Sequence, residues 1–305
     1  MVDDRPGQSP PSSARSVRPP STAPPTRPEE ADISADIRLG IALILLLAAA
    51  TGVLAAAGVR IRRQVVVAAV RAALQLAVIG VVLGFVFRFP GAAAVVLLVM
   101  LATATRTAGR RLRELDGALR AVLLSSLAGA LCTLVVAFGT GAVAFQVRYV
   151  VALSGITLGG TMTACTLAGR QLLSGIRSRR EEVEGWLALG ATPRQAVRDI
   201  ARTAAGEALL PAIDQTRTVG LVTLPGAFVG ALFGGASPAF AARFQLVVLV
   251  GLLAAEAVAA VTLTWLLGAP APLPLPPDDR TAGDARPVRS AAPARLRRHL
   301  PRLRS

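Results

Sequence analysis

Residues 121–144 read AVLLSSLAGALCTLVVAFGTGAVA, 24 positions without a single Asp, Glu, Lys or Arg. A helix rises 1.5 Å per residue, so about 20 such residues cross the roughly 30 Å hydrocarbon core of a bilayer. Helices of a soluble core would instead read as amphipathic stripes. Six more apolar blocks stand along the chain, at about 39–57, 64–87, 91–105, 150–168, 219–236 and 244–267. The chain is 53% hydrophobic, with a mean hydropathy of +0.57 and 17% charged residues, more apolar than soluble domains of its length. The pattern predicts an all-α, polytopic transmembrane helical bundle of about seven spans.

Arginine placement orients that bundle. The segments after blocks one, three, five and seven carry 24 Arg, against Arg88, Arg148 and Arg243 on the other side. By the positive-inside rule the N-terminus lies outside and the C-terminus in the cytoplasm. Residues 1–37, rich in Pro, Ser and Arg, read as a disordered extracytoplasmic tail, and 269–305 as a disordered basic cytoplasmic tail. The membrane domain takes 38–268. The basic tail suits anionic membrane lipid; without interleaved aromatics it is a poor match to nucleic acid.

All 33 basic residues are Arg. A phosphate-binding P-loop needs a Lys on the β/γ-phosphates, and Schiff-base catalysis needs a Lys amine, so this chain holds neither. Cys132 and Cys165 fall inside apolar blocks as small packing residues. The single His299 lies in the tail. Nothing indicates a cofactor, a metal-ligand cluster or a catalytic residue.

One connection is long. Residues 169–217 form a cytoplasmic insertion containing EEVEGWLALGATPRQAVRDIARTAAGEALLP. It reads as helix, tight turn, helix, with Gly190 as a C-terminal stop, Thr192 as the next N-cap, Pro193 at the first helical position and Gln195 completing a capping box. Glu184 followed six residues later by Gly190 resembles the coupling loop of ABC-transporter membrane subunits, with Gly185 and Trp186 in place of its two alanines. In those subunits the short helix docks into the ATPase chain, which makes Glu184, Trp186, Leu189, Gly190 and Thr192 candidate coupling residues. An amphipathic helix lying on the membrane with Trp186 as its anchor is the other reading.

Several motifs in order, RAALQL (71–76), GGTM (159–162), LALGATPRQA (187–196), LLPAID (209–214) and TVGLVTLPG (218–226), resemble the FetB (YbbM-type) iron-export permease family and its plant aluminium-tolerance relatives. The resemblance covers about 64–267. It implies a plasma-membrane permease that pairs with a separate ATPase, works as a homodimer and serves metal homeostasis. Two departures stand out. Ala227, Phe228 and Val229 follow the Leu-Pro-Gly where the family carries two methionines and a small polar residue, and Thr161 replaces an Asn.

Three polar side chains interrupt the spans: Arg71, Gln75 and Glu256. A charge at mid-bilayer costs about 2.5–3.5 kcal/mol on insertion scales, so it normally faces the bundle interior. Arg71 and Gln75 share a helix face, and Arg71 can also snorkel to the interface. Glu256 is expected either to pair with Arg71 or to line a polar pathway. That pair also defines a second reading, a proton-coupled secondary transporter. Pro225-Gly226 breaks the sixth block, as a kink or as part of a site, and Gly226, Gly230 and Gly234 have the spacing for close helix packing.

Overall fold

Apolar blocks become helices because lipid offers no partner to a backbone N–H or C=O, and only a helix satisfies both within one segment. A computed structural model of the chain describes residues 28–89 and 91–269. Helices make up almost all of them; the single β-type pairing among the described residues is an isolated bridge between Val219 and Thr223. Among the described residues six helices are long and apolar enough to cross a membrane. The chain divides at Val82 into two units.

The first unit holds α1 (Pro28–Ala56) and most of α2 (Arg62–Arg88). Helix α1 begins eleven residues before the apolar block, so positions 28–37, which the sequence assigns to the tail, are helical. A proline at the first helical position favours that early start. The expected disorder of 1–27 and of 270–305 lies outside the described residues.

The second unit contains α3 (Ala92–Arg111), α4 (Ala118–Gly139), α5 (Val147–Ser178), α6 (Arg180–Ala188), α7 (Pro193–Ala196), α8 (Arg198–Thr218), α9 (Gly226–Phe233) and α10 (Pro238–Leu267). Its centre is a close meeting of α4, α5 and α10. A Cβ at Gly129 would strike the carbonyl oxygen of Ala255 and come within 3.0 Å of Thr161 Cγ2. Small residues are how membrane helices reach such a distance, and an interhelical hydrogen bond adds to the contact. Here the Thr133 hydroxyl donates to the Gly251 carbonyl at 2.7 Å.

Two apolar clusters mark the ends of this unit. One gathers Leu112, Val122, Leu172, Val183, Ile200 and Leu263, next to the Arg-rich connections. The other gathers Ala137, Val143, Leu153 and Val248, with Tyr149 and Phe244 against it. Helix α10 therefore starts at the sparsely charged end and finishes at the basic end.

That geometry corrects the expected sixth span. Residues 219–236 hold a turn and the eight-residue α9, about 12 Å long and too short to cross. Gly220 at φ +84° and Pro225 as the α9 N-cap break the run. Yet the chain leaves the basic end at Ile200 and re-enters α10 from the other, so it does return across the unit. Helix α8 carries it. Ile200, Ala204, Ala205, Ala208 and Ala212 are its buried face. Ala201 lies beside Gly268 at the end of α10, and Leu209 packs on the basic-end cluster with Met162 from the middle of α5. The expected cytoplasmic insertion of 169–217 holds the end of α5, then α6, α7 and nearly all of α8. The path from the basic end back to the start of α10 is made by α8, a turn and α9; α8 is not among the six helices apolar enough to cross a membrane.

Candidate functional site

Helix α5 has 32 residues, about 48 Å, well beyond what the hydrocarbon core requires. Its surplus emerges at the basic end, and there the chain folds back. Arg177 pairs with Glu114 of the α3–α4 turn and ties down the emerging end. At the fold-back, Arg179 holds Glu182 through two bonds, Nε to Oε2 at 2.7 Å and Nη2 to Oε1 at 2.6 Å. These hydrogen bonds from Arg179 keep the Glu182 carboxyl below its ordinary range, and they raise the guanidinium in turn. Arg180 Nε lies 2.7 Å from Glu184 Oε1, one turn on.

Helix α6 stands on one apolar foot. Val183 is 1% exposed, within the basic-end cluster. On its outer side Trp186 is 51% and Leu189 82% exposed. The helix closes with a Schellman motif, in which the Ala191 N–H donates to Trp186 O and the Gly190 N–H to Leu187 O, both at 3.0 Å. Gly190 takes φ +88°, where a side chain is strained. Next comes the anticipated capping box: the Thr192 N–H donates to Gln195 Oε1 at 2.8 Å, and the Gln195 N–H donates to the Thr192 hydroxyl at 3.4 Å. Buried Val197 then anchors the entry to α8.

Glu184, Trp186, Leu189, Gly190 and Thr192 thus fall on one elbow, α6–turn–α7, at the basic end. Beside it lies a cavity of about 520 Å³ walled by Glu182, Trp186, Leu189, Arg198, Asp199 and Arg202. Its wall mixes both charge signs with two exposed apolar side chains, a surface suited to a protein partner.

The intramembrane residues divide differently. Arg71 and Gln75 lie one turn apart on α2 in the first unit; Glu256 belongs to α10 in the second. Glu256 is 9% exposed and packs against α5, where a Cβ on Gly160 would stand 2.6 Å from its Oε1. It forms no ion pair among the described residues. Pro225 and Gly226 open α9, so they start a helix and do not kink one. At Gly226 and Gly230 no neighbouring atom lies within 4 Å of where a Cβ would stand, and at Gly234 only carbonyls of α9 itself do. No group of three or more His, Cys, Asp or Glu able to hold a metal occurs among the described residues.

The structure adds one further arrangement. Helix α8 presents an exposed polar stripe of Thr203, Glu207, Asp214, Gln215 and Arg217. Asp214 lies 3.6 Å from Arg217, and Asp199 3.7 Å from Arg202. The alanines spaced along the opposite face of α8 are the signal that could have revealed it as a helix packed on the bundle.

Six apolar helices of spanning length among the described residues and an exposed elbow at the basic end define a multi-pass α-helical membrane protein. Residues 37–269 match the model of a family described as an uncharacterised protein family, UPF0014. The chain belongs to that family. It is 38% identical over 205 residues to the UPF0014 membrane protein STAR2 of Oryza sativa, covering 67% of this chain and 72% of the relative. It is likewise 38% identical over 198 residues to Protein ALUMINUM SENSITIVE 3 of Arabidopsis thaliana, covering 64% and 72%. To the "Probable iron export permease protein FetB" of Escherichia coli it is 31% identical over 198 residues, covering 64% and 76%. No solved structure matches the chain.

Proposed function

We propose that this protein is the membrane subunit of an ABC transporter, exporting a metal ion such as iron and driven by a separate ATPase chain. The observation that carries this reading is the elbow. A capped helix–turn–helix held outside the spans, with Trp186 and Leu189 exposed, has no use in a permease that works alone. It suits a partner that pushes on α5 and α8 from the cytoplasm. The export permease name of the E. coli relative supports the substrate class. Hydrolysis of ATP falls to the partner.

The α8 stripe supports a homodimer. Charged groups at membrane depth are expensive against lipid, at about 2.5–3.5 kcal/mol each on insertion scales. A second copy across a water-filled passage gives Glu207, Asp214 and Arg217 a polar neighbour, and places Pro225 and Gly226 at the passage wall.

The test is co-purification with the partner ATPase. Wild type retains the ATPase, whereas Glu184→Arg with Trp186→Ala loses it while the membrane chain stays monodisperse. A buried Glu256 without an ion pair favours the second reading, proton-coupled transport with Arg71. That reading requires transport by this chain alone, abolished by Glu256→Gln; ATP-dependent transport only in the partner's presence removes it.

A further inference from the structure

A second cavity, of about 480 Å³, opens where the end of α10 meets α7 and the first turns of α8. One wall is basic, with Arg194, Arg198 and Arg202; the other is apolar, with Val261, Trp265 and Ala205. Among the described residues no carboxylate lines it. Asp199, which lines the neighbouring cavity, pairs loosely with Arg202 at 3.7 Å. Arg194 is stacked on Trp265, its guanidinium carbon 4.2 Å from the ring centroid. A guanidinium over an indole face is held in place while its N–H groups remain free to bind an anion.

Position decides what kind of anion. Val261 and Trp265 are 57% and 58% exposed on a membrane-spanning helix, so this wall meets acyl chains. Tryptophan near a span end marks the headgroup level, and the Arg-rich end is the one the positive-inside rule assigns to the cytoplasm. A soluble phosphate would use the arginines and leave the apolar wall without a role.

We infer that this cavity is a binding site for an anionic glycerophospholipid of the cytoplasmic leaflet, with its phosphate on Arg194 and Arg198 and an acyl chain along Val261 and Trp265. The site goes beyond the transport reading and does not depend on it. It also links the two, because Arg194 and Arg198 flank the α7 end of the elbow, so a bound lipid steadies the surface offered to the ATPase.

The experiment is native mass spectrometry of the detergent-solubilised full chain. It is titrated separately with phosphatidylglycerol, with phosphatidylcholine of the same acyl chains, and with inorganic phosphate. Each basic residue near an anionic membrane surface is worth about 1 kcal/mol. Arg194→Gln with Arg198→Gln should therefore weaken phosphatidylglycerol binding about 30-fold. Arg194→Lys with Arg198→Lys keeps the charge but loses the stacked, forked donors, so binding falls between wild type and the Gln pair. Arg110→Gln with Arg111→Gln removes equal charge from α3 and leaves it unchanged. Equal binding of the two lipids, equal loss in the α3 control, or no loss in the Gln pair overturns the site. Inorganic phosphate binding as tightly as phosphatidylglycerol overturns the lipid assignment and indicates a soluble anion.

Discussion

Single residues in this protein matter mostly through how near another backbone comes. Gly129 is the clearest case, since any side chain there meets the Ala255 carbonyl of α10. A backbone atom cannot swing away as a side-chain end can. Gly129→Ala should lower stability by about 1–3 kcal/mol, measured as reduced thermal or denaturant resistance in detergent. Gly160→Ala meets side-chain ends of Leu252 and Glu256 instead; it should cost less, and the difference between the two variants is the informative quantity. Trp186 and Leu189 are legible in the sequence as exposed apolar residues because they follow a charged run and precede a glycine. The Arg194–Trp265 stack is not, for 71 positions separate its partners and nothing local announces the contact.

Among the elements, the elbow is the part whose local chemistry can be read directly. Turn and cap signals act within six residues, so Gly190, Thr192, Pro193 and Gln195 specify their geometry before any tertiary contact forms. Thr192→Ala removes the capping box and should cost about 1 kcal/mol, seen as faster amide exchange at 194–197. Gly190→Ala forces a side chain into the left-handed region, at roughly 1–2 kcal/mol. The Arg179–Glu182 pair adds a pH signature. Glu182 titrates below its ordinary range, so the contribution of the pair is complete above that range and is lost as pH falls through the lowered value. A carboxyl resonance of Glu182 titrating at or above about 4.3 would contradict the pairing. Helix α8 is the opposite case. Its charges read as cytoplasmic, but tertiary packing of five small or branched apolar residues against α5 and α10 outweighs that surface. Hydropathy averages all faces of a helix, so a bundle-packed helix with one polar face escapes it.

At the scale of the whole molecule, the membrane class and the basic end follow from hydropathy and arginine placement alone, because both reflect the cost of moving polar groups into hydrocarbon. The loss of the expected span at 219–236 does not, and neither does any contact between distant helices. A dimer around the α8 stripe predicts that Asp214→Cys, in a chain with Cys132→Ala and Cys165→Ala, forms a disulfide between two copies on oxidation in membranes. A cysteine at Leu45 of α1 should not. The central claim is that the elbow receives a separate ATPase. Its most direct measurement is cross-linking from Leu189→Cys, in the same cysteine-free chain, to the co-expressed partner ATPase in native membranes. The account predicts a single cross-linked band containing both chains, strengthened by ATP-state analogues and lost with Trp186→Ala. Cross-linking only to lipid or to no protein at all, while the ATPase still co-purifies, would place the docking surface elsewhere and contradict it.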